Sequence, residues 1–140
     1  MLKVRIFFFV GLMAIPLTAT AQTKKKKPKI NQSMVGQAIK DLHNPNPEEV
    51  MDAIQILEAS GSKRSVEPLC DLLRSGPRTD ITDAAIQALG AIGHKDALST
   101  LLGYLHHRRP SARTMAIYAL ENQKSPEVTK AFENALRDSD

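Results

Sequence analysis

Four neighbouring residues form the densest polar cluster of the chain after residue 30: His106, His107, Arg108 and Arg109. Imidazole can ligate a metal or change charge near neutral pH, and guanidinium can bind anions. Neighbouring residues point about 100° apart on a helix, whereas a helical metal pair uses positions i and i+4. The cluster therefore indicates a basic, pH-responsive contact patch rather than a metal site, with a solvated loop between helices as the alternative.

Cys70 and His94 are two further residues with reactive side chains. Cys70 is the only cysteine, so the chain can form no intramolecular disulfide. It falls at a helical position that leucine fills in a similar segment downstream, which indicates a small buried hydrophobe. His94 follows Gly93 at an expected helix end, where a hydrogen-bonding or cationic group is ordinary. No nucleophile elbow, phosphate loop or metal-ligand spacing appears. We expect no catalytic residue, no cofactor and no metal; a lyase-like enzyme or an enzyme accessory subunit is the less favoured alternative.

The first 21 residues have the pattern of a secretory signal peptide. Lys3 and Arg5 precede the uncharged run Ile6–Leu17, and Ala19–Ala21 supplies a small-x-small cleavage site. The apolar run is shorter than the roughly 20 residues that cross a bilayer as a helix. We predict cleavage after Ala21 and a secreted or periplasmic location, with an uncleaved N-terminal anchor as the alternative.

Residues 22–31 form a basic linker ahead of the folded part. Its positive charges are Lys24, Lys25, Lys26, Lys27 and Lys29. Like charges this dense repel each other and leave no apolar face, so we predict disorder. From Ile30 onward, 12 Lys and Arg residues stand against 15 Asp and Glu residues, a net charge of −3. The linker could attract anionic headgroups or cell-wall polymers, at about 1 kcal/mol per charge near a membrane. The favoured interpretation of the linker is a solvated spacer.

Three copies of one pattern make up the rest of the chain. Ala53–Leu57, Ala85–Leu89 and Ala116–Leu120 align at offsets of 32 and 31 residues. A second stripe has the helical spacing i, i+3, i+4, i+7 and consists of Val66, Leu69, Cys70 and Leu73. Adding 32 gives the same stripe again as Leu98, Leu101, Leu102 and Leu105. Each unit is therefore predicted to be a pair of helices.

The predicted fold class is all-α, an α-α superhelix of about three helix pairs plus a short N-terminal capping helix. Only 4% of the residues are aromatic and none is Trp, which suits closely packed helices better than a β-sandwich. We assign residues 32–140 to this domain, with repeats at about 47–76, 79–108 and 110–138. The predicted helices are 34–42, 47–60, 65–75, 80–92, 95–107, 110–122 and 126–137.

Capping signals set these boundaries. Asn46 and Pro47 mark one helix start, and Thr79 or Asp80 can cap another. In the last helix, Thr129 and Glu133 replace apolar residues of the earlier second helices. A solenoid needs polar terminal units for solubility, so we expect the array to end here.

The middle unit carries a family resemblance. Ala84–Gly93, followed by Ala97–Leu98 and Leu101–Leu102, resembles HEAT repeats of the short, phycobilisome-lyase-like type. The resemblance covers about residues 47–137; it departs from the pattern at Glu58 in the first unit and over residues 122–124 in the third. It implies an α-α solenoid that acts as a scaffold, with the second helices lining the concave side. It implies no particular ligand.

Outside the apolar stripe, the second helices carry residues that we expect to be exposed to solvent. They are Asp71, Arg74 and Ser75 on the first, Tyr104, His106 and His107 on the second, and Lys130, Asn134 and Arg137 on the third. Tyr and Arg are types that carry binding energy at interfaces. We predict that a protein or peptide binds this face, and we expect no nucleic-acid partner. The alternative is a cell-envelope or anionic-polymer binding protein that uses the lysine linker.

Overall fold

Seven α-helices follow one another in the computed structural model, which describes residues 30–121 and 123–137. They are α1 (Gln32–Asp41), α2 (Pro47–Ser60), α3 (Val66–Arg74), α4 (Thr79–Ile92), α5 (Leu98–Tyr104), α6 (Pro110–Glu121) and α7 (Pro126–Arg137). This described part contains no strand, and no helix in it is long and apolar enough to cross a membrane. The predicted signal peptide and the lysines of the linker lie outside the described residues.

Local sequence signals mark the start of α2 and the ends of α2 and α4. Asn46 caps α2 by accepting a hydrogen bond from the Glu48 N–H at 3.0 Å, and Pro47 occupies the first helical position. Gly61 and Gly93 end α2 and α4 in the left-handed conformation, with φ of 58° and 65°. Helix α2 has the predicted bounds.

Two boundary predictions were wrong. The helix expected over 95–107 is a 3₁₀ turn at Lys95–Ala97 followed by the short α5, which ends at Tyr104. The N–H groups of Leu105, His106 and His107 donate to carbonyls three residues earlier, so the chain leaves the α-helical pattern after Tyr104. Helix α4 is not capped by Thr79 or Asp80. Its cap position is Arg78, and the Thr82 hydroxyl donates to the Arg78 carbonyl at 3.0 Å.

The helices form two layers. The first helices α2, α4 and α6 pack side by side, and α1 packs on the free side of α2. The second helices lie on this layer, with α3 packed on α4, α5 packed on α6, and α7 packed on α5. The three helix pairs and the N-terminal capping helix were predicted, and the α-α solenoid is confirmed.

The hydrophobic core runs through both layers. Helix α4 buries residues on two sides: Ile81, Ala85, Ile86, Ala88 and Leu89. The predicted stripe of α3 is buried throughout, at Val66, Leu69, Cys70 and Leu73. In α5 only Leu101 of the corresponding stripe is fully buried, and Leu98, Leu102 and Leu105 are half-buried. The second-helix layer therefore packs more tightly at α3 than at α5.

Gly90 lets α4 and α6 approach each other closely. A Cβ atom built on Gly90 would lie 2.7 Å from both the Cα and the Cβ of Ala119. Real Cβ atoms do not come so near a backbone atom, and backbone cannot move aside as a flexible side chain can. The first repeat has Glu58 at the position aligned with Gly90, so this close crossing belongs to the α4–α6 pair.

We predict that Gly90→Ala destabilises the protein by a net amount of up to about 2 kcal/mol, because overpacking a well-packed core usually costs about 1–3 kcal/mol. This loss should outweigh the gain of about 1 kcal/mol that alanine normally brings to a helix interior. The matched control is Gly36→Ala in α1, where an added Cβ meets nothing within 4 Å. Urea unfolding should show the control equal to or above the parent; a stable Gly90→Ala variant would contradict the packing argument.

We also predict that Cys70 reacts with thiol reagents only when the chain unfolds. Its side chain is fully buried, and burial raises the pKa of the thiol, so little nucleophilic thiolate forms in the folded state. Labelling in native buffer should be roughly 100-fold or more slower than in denaturant, because it must wait for local opening. Equal rates in the two conditions would place the thiol at the surface.

Candidate functional site

A groove of about 450 Å³ runs between α3 and α5 on the second-helix layer. The residues that line it are Leu73, Arg74, Ser99, Thr100, Gly103, Tyr104 and His107. It brings together Arg74, Tyr104 and His107 from the predicted binding face. Ser99, Thr100 and Gly103 were not predicted. Gly103 aligns with Asp71 in the preceding repeat, so the loss of a side chain there is the sequence signal that could have indicated the groove.

Tyr104 is a structural part of the groove wall, which corrects its prediction as an open surface residue. It is half-buried, and its hydroxyl donates to the Leu73 carbonyl at 3.2 Å. That carbonyl lies near the end of α3 and also accepts a hydrogen bond from the Gly76 N–H at 3.2 Å, so the phenol is its second donor. Partial burial raises the pKa of Tyr104, so the phenol keeps the proton that it donates. The exposed ring surface is what remains for a ligand.

His107 extends the aromatic surface of the groove. Its imidazole stacks on the Tyr104 ring with centroids 5.1 Å apart and planes inclined by 20°. Its Nδ1 accepts a hydrogen bond from the Arg109 N–H at 3.2 Å, and its carbonyl accepts from Arg113 Nη1 at 2.9 Å. The first bond holds the imidazole in place, and the second fixes the backbone after α5.

Arg74 is held at the rim of the groove by two carboxylates. Its Nη1 lies 3.1 Å from Glu67 Oε1 and also donates to Asp71. The hydrogen bond with Glu67 is the main cause that raises the pKa of Arg74, and the guanidinium stays charged. Asp71 therefore contributes by orienting Arg74. Glu67 was missed in the sequence, although a spacing of seven residues places it on the same helix face as Arg74.

The basic cluster at 106–109 does not act as one patch. Arg109 is half-buried and donates from Nη2 to Asp83 on α4 at 3.0 Å, so its charge is already paired. Its Nε is buried without a partner in the described residues. His106 and Arg108 are exposed, but neither lines the groove. The residues of the predicted contact patch therefore have different surroundings: His107 lines the groove, Arg109 forms a half-buried ion pair with Asp83, and His106 and Arg108 are exposed.

The α7 residues of the predicted face stand apart from the groove. Lys130 and Asn134 are exposed on α7, which packs on the other side of α5. The side chain of Arg137 lies outside the described residues. Ser75 is exposed at the end of α3, where its hydroxyl donates to the Leu72 carbonyl at 2.6 Å. The face predicted from three second helices is therefore centred on α3 and α5.

The groups that line the groove suit a polar ligand rather than a metal ion. Within the part of the chain that the structure describes, no three His, Cys, Asp or Glu side chains come close enough to hold a metal ion. The groove offers a paired guanidinium, an aromatic stack, two hydroxyl residues and the open Gly103 position. His94 lies elsewhere, where its Nδ1 accepts from the Asp96 N–H at 3.3 Å in the turn before α5.

We predict that Tyr104→Phe lowers the free energy of unfolding by about 0.5–1.5 kcal/mol, the net value of one hydrogen bond. The ring stays, so its packing and its stack on His107 should survive. Tyr118→Phe is the matched control, because Tyr118 is 64% exposed and makes no hydrogen bond among the described residues. In thermal unfolding, Tyr104→Phe should melt at a lower temperature than Tyr118→Phe. Identical melting temperatures would show that the Tyr104 hydroxyl does not stabilise the fold.

Comparison with known proteins gives one family match. The family described as HEAT repeats matches residues 66–140, more than half of the chain. The match covers α3 to α7, which include both walls of the groove. No curated protein matches the chain.

Proposed function

The chain belongs to the HEAT repeat family, and from this membership we propose that it is a secreted or periplasmic scaffold that binds a protein or peptide in the groove between α3 and α5. HEAT repeats commonly mediate protein–protein interaction, and the family is typically non-catalytic. A binding role thus follows the family, whereas the location, the groove and the class of ligand are our proposal.

The observation that carries the proposal is the combination of Arg74, Tyr104 and His107 at one groove. Aromatic and guanidinium groups supply much of the binding energy at interfaces, above all where their positions are fixed beforehand. Here the tyrosine is fixed by the Leu73 carbonyl and the arginine by two carboxylates. A partner would therefore meet a surface whose side chains need little further ordering.

The size of the groove favours a peptide or a protein edge as the partner. Helix α3 has nine residues and α5 has seven, which gives lengths of roughly 10–14 Å. Such a groove holds a few residues of an extended chain. Ser99 and Thr100 can hydrogen-bond to the backbone of such a chain, while the aromatic stack contacts one of its side chains.

The proposed location rests on the N-terminal sequence. A basic start, the apolar run Ile6–Leu17 and the small-x-small site before Gln22 are the three parts of a secretory signal. If the signal is cleaved after Ala21, the mature protein begins at Gln22.

A second candidate function uses the linker. Five lysines fall within residues 24–29, whereas the chain from Ile30 onward has a net charge of −3. This separation of charge would let the linker bind anionic lipids or polymers while the acidic repeats stay away from the surface. Under this alternative the groove has no partner and the repeats are passive.

We predict that filling the groove abolishes partner binding without harming the fold. Gly103 has open space where a side chain would project, so Gly103→Leu should occupy the groove and keep the melting temperature. A photoreactive benzophenone side chain introduced at Ser99 would crosslink to a partner that occupies the groove in the cell that makes the protein. We expect protein adducts from this site, and a loss of at least about tenfold when Gly103→Leu is added.

The matched control is Gly36→Leu, which adds the same side chain in open space on α1. Helix α1 does not line the groove. It should leave the adducts unchanged. Deleting residues 22–29 should also leave them unchanged, and would abolish sedimentation with anionic vesicles if the second candidate function holds. The absence of adducts at Ser99 in the producing cell would contradict the proposed groove.

A further inference from the structure

Helix α2 carries negative charge that no cation of the described residues balances. It contains no Lys or Arg, and its carboxylates are those of Glu48, Glu49, Asp52 and Glu58. Among the residues that the structure describes, none of these four takes part in an ion pair, whereas the acidic residues of α3 and α4 all pair with arginines. Over residues 30–61, Lys40 is the one basic residue against five Asp and Glu residues, a net charge of −4.

Two cavities adjoin at Asp52 on the surface of α2. The smaller one, of about 330 Å³, is lined by Ile30, Met34, Asp52, Gln55, Ile56 and Ala59. The larger one, of about 660 Å³, includes Asp52 again, Glu48 one turn earlier, and Arg78 and Asp80 at the start of α4. Arg78 and Asp80 pair with each other at 3.1 Å. The net charge of the larger cavity is therefore that of Glu48 and Asp52.

The described chain begins in the smaller cavity. Ile30 is half-buried there and packs against the core. Beside it, the side chain of Met34 is 38% exposed and that of Ile56 is half-buried, so apolar surface remains uncovered. The six residues immediately before Ile30 are five lysines and Pro28, and we call residues 24–29 the lysine segment.

The lysine segment is long enough to follow both cavities. Six residues can extend for about 20 Å. Asp52 lines the same cavity as Ile30, and Glu48 lies only about 6 Å further along the helix axis. The segment can therefore reach both carboxylates from its attachment at Ile30.

We propose that the lysine segment of the same molecule docks on α2. Pro28 and the aliphatic stems of the lysines cover Met34 and Ile56, and the ammonium groups lie beside Asp52 and Glu48. Five positive charges thereby meet the net charge of −4 of the residues that follow them. Each exposed ion pair contributes little free energy, but covalent attachment gives the segment a high effective concentration at α2. Several weak contacts are then sufficient.

This contact makes α2 a competitor of anionic surfaces for the same lysines. The second candidate function then requires release of the lysine segment from α2. The groove between α3 and α5 shares no lining residue with the two cavities, so the proposal does not depend on binding in that groove.

Zero-length carbodiimide crosslinking of the full chain, purified as the producing cell makes it, tests the contact. The reagent joins a lysine amine to a carboxylate that touches it, and mass spectrometry identifies the pair. Crosslinks from the lysine segment to Glu48 and Asp52 should be at least about fivefold more abundant than those to Glu121 and Glu133, which are exposed elsewhere. They should disappear at about 1 M salt, where the screening length falls to roughly 3 Å. A mixture of light and isotope-labelled chains should show that they form within one molecule.

Two matched double variants test the competition. Glu48→Gln combined with Asp52→Asn should raise sedimentation with phosphatidylserine vesicles at least about fivefold, because lysines released from α2 become available to the lipid. Glu121→Gln combined with Glu133→Gln makes the same change in net charge and should raise sedimentation much less. Equal vesicle binding by the two double variants would overturn the proposal. So would crosslinks that show no preference for α2 or that join different molecules.

Discussion

The burial of α4 is the constraint on which the rest of the structure depends. This helix contacts α2 and α6 within its own layer and α3 in the other layer, so little of its surface reaches solvent. Its sequence meets this demand with alanines and isoleucines rather than with large aromatic side chains. Small residues allow the helix axes to come close, and Gly90 against Ala119 is the extreme case. The buried leucines and isoleucines supply the apolar area, and the small residues let the helices that carry them pack closely.

The missing side chains of Gly90 and Gly103 have different effects in the two helix layers. Gly90 is surrounded by the neighbouring helix, and its missing side chain closes the first-helix layer. Gly103 has nothing within 4 Å of the position where a Cβ would lie, and its missing side chain opens the groove in the second-helix layer. The same residue type thus serves packing in one layer and accessibility in the other. The groove stays partly unfilled because α5 is a short helix and its apolar stripe is only half-buried.

The helix pairs could be predicted from the sequence, whereas the contacts between helices could not. Apolar periodicity, capping residues and glycine stops predicted the helix pairs, because these signals act within one or two helical turns. The pairing of Arg109 with Asp83 spans 26 residues, and the bond from Tyr104 to the Leu73 carbonyl spans 31. Neither contact has a periodic signature, since each depends on how two separate helices meet. For this reason the predicted face combined residues that line the groove with others that the structure places elsewhere.

Repetition itself explains why identical residues acquire different roles. Ile54, Ile86 and Ile117 hold the same position in three repeats, and only the last is exposed, because burial is supplied by the following repeat. A solenoid is stabilised by contacts between neighbours, so a first helix that has no described neighbour on one side exposes there a position that is core elsewhere. Thr129 and Glu133 on α7 are exposed polar residues of the second-helix layer. The surface at α6 is therefore chemically a continuation of the core, whereas the groove is a departure from the repeat pattern.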